Sequence, residues 1–156
     1  MAKIWANDTA YTIGRVYVDS MVRKCFSSIK VEGLENIPAE GSVLIAPNHC
    51  NTLMDALVVL QSRKKPTAFG ARADIFRKPK AAAALRWLRI LPLARKRDTE
   101  QMRHRNPEIF KEVVDAINHD VPFTIFVEGT HYVGYTVHPA NIGIFKIASM
   151  SLDEHP

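Results

Sequence analysis

The sequence predicts an α/β domain, a mostly parallel central sheet flanked by helices and preceded by an amphipathic N-terminal helix. Three observations lead there. The runs Ser42-Val43-Leu44-Ile45-Ala46 and Val121 to Val127 are short and continuously apolar, as strands buried on both faces are. Leu53, Ala56, Leu57 and Leu60 recur at spacings of three and four, as do Ile109, Phe110, Val113, Val114 and Ile117, which marks helices with one apolar face. Strand-like and helix-like segments also alternate along the chain, with turn residues between them.

The chain has 156 residues, enough for one domain with a real core, and 47% of them are apolar, which excludes disorder. Its formal net charge of +5 points to an anionic partner: a phosphate, a lipid headgroup or nucleic acid. Cys25 and Cys50 have neither metal-ligand spacing nor a disulfide-rich frame, which suits a reducing compartment. Met1 to Asp8 carries no signal-peptide hydrophobic region, and no stretch approaches the roughly 20 apolar residues of a spanning helix. If a membrane matters, the protein lies on it.

Taken in order, Tyr11, Ile13, Val16, Tyr17, Met21, Val22 and Phe26 form an amphipathic helix within residues 1–28, ahead of a domain spanning 29–156. This helix either packs on the domain or lies in a membrane interface, with tyrosines and cations at its boundary. Ile29 to Leu34 alternates like a short edge strand, and Glu35 to Gly41 turns into the central strand. Thr67 to Ala71 reads as a second inner strand. Ala81 to Ala84, with Leu85, Trp87, Leu88 and Leu91, reads as a helix running on through Pro92 to Arg95-Lys96-Arg97-Asp98. Cations among Trp and Leu suit a surface that meets acyl chains and phosphates, and equally a solvated basic face. Asn106-Pro107-Glu108 starts a helix in which Asn caps and Pro takes the first position. The strand ending at Val127 delivers Glu128-Gly129-Thr130-His131 to a loop at its carboxyl end, where open α/β sheets place their chemistry. Gly129 there permits close backbone approach by a ligand. Ile142 to Ala148 is the last helix.

His49 stands in the strand-to-helix turn after Pro47, with Asp55 six residues on. On one continuous helix that spacing is about 240° of rotation and the side chains diverge. They meet only if His49 precedes the helix. With Thr52 as N-cap, Asp55 takes the third helical position, where the helix dipole favours a carboxylate and the side chain can turn back toward the preceding loop. Asp55 then fixes the tautomer of His49 and leaves its other nitrogen to act as general base. The stretch alone also allows a plain capping Asp55 beside an ordinary loop histidine.

Val31-Glu32-Gly33-Leu34-Glu35-Asn36-Ile37-Pro38, Ala46-Pro47-Asn48-His49 with Asp55, Ile90-Leu91-Pro92-Leu93-Ala94-Arg95, and Phe126-Val127-Glu128-Gly129-Thr130 occur in that order. Together, from Lys30 to Ala148, they resemble the 1-acylglycerol-3-phosphate acyltransferase family, the glycerolipid acyltransferases. The resemblance implies transfer of a fatty acyl group from acyl-CoA or acyl-carrier protein to the hydroxyl of a lysophosphatidate or glycerol phosphate in phospholipid biosynthesis. It implies no cofactor, no metal and no nucleic acid, and a peripheral seat on the cytoplasmic face of a membrane. The catalytic pair falls on His49 and Asp55. The substrate-binding residues fall on Arg95, Glu128, Gly129 and Thr130. Arg95 suits a phosphate by charge and fork geometry. Glu128, an anion itself, is expected to position Arg95, another cation or a glycerol hydroxyl. The gap from His49 to Asp55 holds five residues where the commonest form of the motif holds four. Val127 replaces a Pro, and His131 stands where many members have Arg. The family's fourth motif, an apolar-Pro-apolar strand, is not found in Ser151 to Pro156, so the chain is expected to be truncated at its carboxyl end.

Rival classes fare worse on the residues. No helix-turn-helix, zinc-finger or RNA-recognition signature accompanies the cations between Arg63 and Arg105. His49, Asp55, His131 and His138 match no metal-ligand spacing. A Cys50 nucleophile with His49 as base is disfavoured because adjacent side chains diverge. A non-catalytic peripheral membrane protein of the same fold is the serious competitor.

Overall fold

The computed structural model describes residues 3–6, 8–38, 40–63, 65–130, 136 and 138–154. Its helices are α1 (Thr9–Cys25), α2 (Thr52–Ser62), α3 (Pro79–Trp87), α4 (Glu100–Arg103), α5 (Asn106–Asn118) and α6 (Gly143–Glu154). Its strands are β1 (Leu44–Ile45), β2 (Ala68–Arg72), β3 (Ile90–Leu93) and β4 (Phe123–Thr124). They form a four-stranded sheet in the order β1-β4-β2-β3, parallel throughout. Leu44 and Ala68 flank Phe123, and Phe69 faces Ile90 on the other side.

Phe123, Ala68 and Leu91 share one face of the sheet. There they meet Ile109, Val113, Val114, Ala116 and Ile117 of α5 and Ile147 of α6 to form the core. That face of α5 is the one its sequence periodicity marks. Gly70 on the same face leaves no room for a side chain, since a Cβ there would lie 2.5 Å from Leu93 Cδ1. Among the described residues no helix is long and apolar enough to cross a membrane.

Four expectations change. Residues 29–33 form no strand, and Leu34–Asn36 is a 3-10 turn. The ladder of β4 is two residues long, not seven, although Ile125 N still donates to the Ile45 carbonyl at 3.0 Å. The helix expected through Leu91 stops at Trp87, because Arg89 adopts φ +61, a left-handed conformation that ends helices. The chain then reverses into β3, so Leu91 is a core strand residue and the 81–93 segment is not a single surface. Leu85, Leu88 and Leu91 keep helical spacing by coincidence. Asn106 is not a cap either. Arg105 takes that position, Pro107 follows at the second helical residue, and the Asn106 amide turns to the backbone of Ala94.

The N-terminal helix is fastened by polar contacts. Asp8 caps it by accepting from the Ala10 and Tyr11 amides at 2.8 and 3.2 Å, which together with the Trp87 indole holds its carboxyl below the usual range. Trp87 Nε1 donates to Asp8 Oδ2 at 2.8 Å, so this indole anchors α1 to the end of α3. The nearly buried Arg89 guanidinium lies 4.5 Å over the Tyr11 ring and donates to the Ala6 carbonyl. Arg15 donates to the carbonyls of Leu60 and Arg63 at the end of α2, groups that a helix terminus leaves without internal partners.

Tyr11 and Val22 face inward, three turns apart, whereas Ile13, Val16 and Tyr17 lie on the opposite side and Met21 on the flank, all four exposed. Leu91→Ala should therefore cost about 2–5 kcal/mol, and Ile13→Ser less than about 0.5 kcal/mol, in urea unfolding. Equal losses would place α1's outer face in the core.

Candidate active site

β1 ends at Ile45 and the chain passes through Ala46, Pro47 and Asn48 to His49 at the carboxyl edge of the sheet. His49 Nδ1 lies 3.0 Å from Asp55 Oδ2, and the same oxygen accepts the Asn51 amide at 2.7 Å. An ionised carboxylate has no proton to give, so this contact places the ring proton on Nδ1 and the lone pair of the neutral ring on Nε2. The two side chains retain 17% and 21% of their exposure.

The cap sits one residue earlier than expected. Asn51 precedes the helix and Thr52 is its first residue, so Asp55 is the fourth helical residue and not the third, still within the first turn. Thr52 has φ +41, a left-handed conformation that costs a β-branched residue about 1–3 kcal/mol. This turn accommodates the five-residue gap while keeping the carboxylate on the imidazole. On its other side the His49 ring stacks on Phe126, with centroids 4.1 Å apart and planes at 20°. Phe126 follows β4, which pairs with β1, so the last strand of the sheet carries a wall for the imidazole.

A second group of charges lies beyond β2 and β3. Arg95 donates from its backbone amide to Asp98 Oδ2 at 2.7 Å, and its guanidinium reaches both oxygens of Asp98 at 3.3 and 3.1 Å. Asp98, not Glu128, is therefore the carboxylate that holds Arg95. The guanidinium hydrogen bond keeps the Asp98 carboxyl below the usual range. Arg72 pairs with Asp74 in the same way and pulls that carboxyl down to about 2.

Arg97 Nη2 donates to Thr130 Oγ1 at 3.4 Å, which joins this group to the loop after β4. Glu128 is half-buried within that loop. Gly129 has φ +66, a left-handed conformation that favours glycine, and a Cβ there would come within 2.6 Å of Asn141 Nδ2, which donates to the Val127 carbonyl.

The structure thus joins His49 to Asp55 and places Phe126, two residues before Glu128, against the imidazole. It connects Thr130 to the Arg95 loop through Arg97. It does not set Glu128 against Arg95. β1 and β3 are separated by β4 and β2, about 14 Å at the level of the strands, so the imidazole and the arginine cluster stand apart along one edge. Sequence reasoning missed Asp98, Arg97 and Phe126. Asp98 was findable, since a carboxylate three residues after an arginine in a turn is a ready partner. Phe126 was not, because its contact depends on strand order. His131 lies outside the described residues, and among those described no group of three His, Cys, Asp or Glu side chains could hold a metal ion.

A family model described as "Acyltransferase" matches residues 28–153. The chain belongs to the acyltransferase family. The fold of this acyltransferase is also similar to the crystal structure of the 1-acyl-sn-glycerophosphate (LPA) acyltransferase PlsC from Thermotoga maritima. The two share 22% identity and a TM-score of 0.65 over 96% of this chain and 59% of that one. The chain thus spans about three fifths of that protein's length. A search of curated proteins finds no match.

Both paired carboxyls ionise more readily folded than unfolded, so they add stability above the unfolded value of 3.8 and lose it as pH falls through their depressed folded values. Between pH 4 and 2 the urea midpoint of the unmodified chain should fall more steeply than that of Asp74→Asn or Asp98→Asn. Parallel slopes for all three would mean that neither pair forms in solution. Added salt should shrink the Arg72 contribution first, because that side chain is exposed.

Proposed function

We propose that this acyltransferase moves a fatty acyl group from the thioester of acyl-CoA or acyl-carrier protein to the hydroxyl of a lysophosphatidate or glycerol phosphate. One observation carries the reading: the 3.0 Å contact that orients His49 by Asp55 at the carboxyl edge of a parallel sheet, in a chain of this family. His49 Nε2 takes the proton of the acceptor hydroxyl as its oxygen attacks the thioester carbonyl. The tetrahedral adduct collapses with loss of the C–S bond, and the imidazolium returns the proton to the departing thiolate. Asp55 stays ionised and stabilises the imidazolium. A thioester is already activated, so the reaction needs no protein nucleophile. Arg95 and Arg97 supply the charge that a phosphate on the acceptor requires.

His49→Ala should lower turnover of labelled acyl-CoA with lysophosphatidate by about 10²–10⁴-fold while leaving the circular dichroism spectrum unchanged. Activity within a few-fold of the unmodified chain would remove His49 from the chemistry.

The proposal includes a peripheral seat on the cytoplasmic face of a membrane. Ile13, Val16 and Tyr17 are 66%, 65% and 67% exposed on the outer side of α1, beside the basic Arg23 and Lys24 of its last turn. Ile13→Asp combined with Tyr17→Asp should reduce sedimentation with anionic vesicles by about tenfold or more at unchanged urea midpoint. Undiminished binding would move the contact elsewhere. Vesicle binding without any acyl transfer would favour the alternative, a non-catalytic membrane protein of this fold.

A further inference from the structure

We propose that Asn106 is a positioning residue for the acceptor's phosphate, acting through the backbone that presents Arg95 and Arg97. The inference rests on the functional reading above, in which those arginines meet the phosphate. Its source is a two-point contact. Asn106 Oδ1 accepts the Ala94 amide at 2.9 Å, and Nδ2 donates to the Ala94 carbonyl, also at 2.9 Å. A side-chain carboxamide presents a donor and an acceptor side by side, so it pairs with both polar groups of Ala94 as a neighbouring strand would. β3 has ended at Leu93, and Ala94 is the residue at which its ladder stops. The carboxamide extends that support by one residue.

The next residue is Arg95, whose own amide is fixed by Asp98 at 2.7 Å. Two successive backbone amides are therefore held, one by the first turn of α5 and one by the turn that Asp98 closes. From this short stand the Arg95 guanidinium reaches Asp98 and the Arg97 guanidinium reaches Thr130. Asn106 itself opens a helix whose buried face includes Ile109, Val113 and Val114. The arginine turn is thus referenced to the core and not merely to its own loop.

The contact also explains why Asn106 does not cap its helix. Its amide has been committed elsewhere, and α5 begins with Arg105 in the cap position without a side-chain hydrogen bond there. An ordinary structural asparagine at this site would serve the helix. This one serves the loop.

The test compares Asn106→Ala, Arg95→Ala, their double variant and Pro107→Ala, the last altering the same helix start while keeping the carboxamide that bonds Ala94. Each is measured for KM and kcat toward acyl-CoA and lysophosphatidate, and for equilibrium binding of lysophosphatidate in detergent micelles, which reads out even without turnover. Asn106→Ala should raise KM and Kd for lysophosphatidate about tenfold, with KM for acyl-CoA unchanged, because loss of two neutral hydrogen bonds loosens only the arginine turn. The double variant should fall well short of the product of the single effects. Pro107→Ala should leave both KM values unchanged. Equal losses toward both substrates, a Pro107→Ala effect of the same pattern, or full additivity with Arg95→Ala would overturn the proposal. An Arg95→Ala variant that binds lysophosphatidate normally would sink the phosphate reading and this inference together; a weakened Arg95→Ala beside a normal Asn106→Ala would sink the inference alone.

Discussion

The arrangement depends on where β4 sits. Among the described residues it is the last strand in sequence, yet it is inserted between β1 and β2 and hydrogen-bonded in parallel on both sides. Parallel pairing makes every strand end point the same way, so the segments after β1, β2, β3 and β4 all emerge along one edge. Insertion beside β1 then decides which of them are neighbours. It carries Phe126 to the face of the His49 ring and leaves the arginine turn two strands away. The fold thereby separates an imidazole from a cluster of guanidinium groups while keeping both on one rim.

The charges are also arranged with restraint. Arg72 and Arg95 are each matched by a carboxylate, Asp74 and Asp98, so the cluster is more nearly neutral than the sequence run Arg95-Lys96-Arg97 suggests. Partial neutralisation keeps guanidinium groups ordered, since an arginine already held by one carboxylate has fewer rotamers to lose when an anion arrives.

Much of this was legible in the residues. The parallel sheet followed from two largely apolar runs, and the need for His49 to precede the helix that carries Asp55 followed from rotation arithmetic on a six-residue gap. What escaped had identifiable causes. Leu85, Leu88 and Leu91 keep a helical interval across a boundary created by one left-handed residue, Arg89, and side-chain type alone does not announce φ +61. Asn106 before Pro107 has the composition of a helix start, but its amide is drawn off by Ala94, a tertiary contact twelve residues back. Asp98 pairs with Arg95 through a local turn, a contact that needs no distant loop. Strand order, which sets the Phe126 contact, has no local signature.

α2 is gripped at both ends. At its start Asp55 is tied to His49 and to the Asn51 amide, and at its finish the Leu60 carbonyl and that of Arg63 receive Arg15. A helix fixed in this way behaves as a strut of defined length. Substitutions along it change packing by degrees, but one inserted or deleted residue turns its two ends by about 100° relative to each other. No rotation of the whole strut could then satisfy both attachments, so the eleven-residue length of α2 is as much a part of the imidazole's geometry as the side chain that holds it.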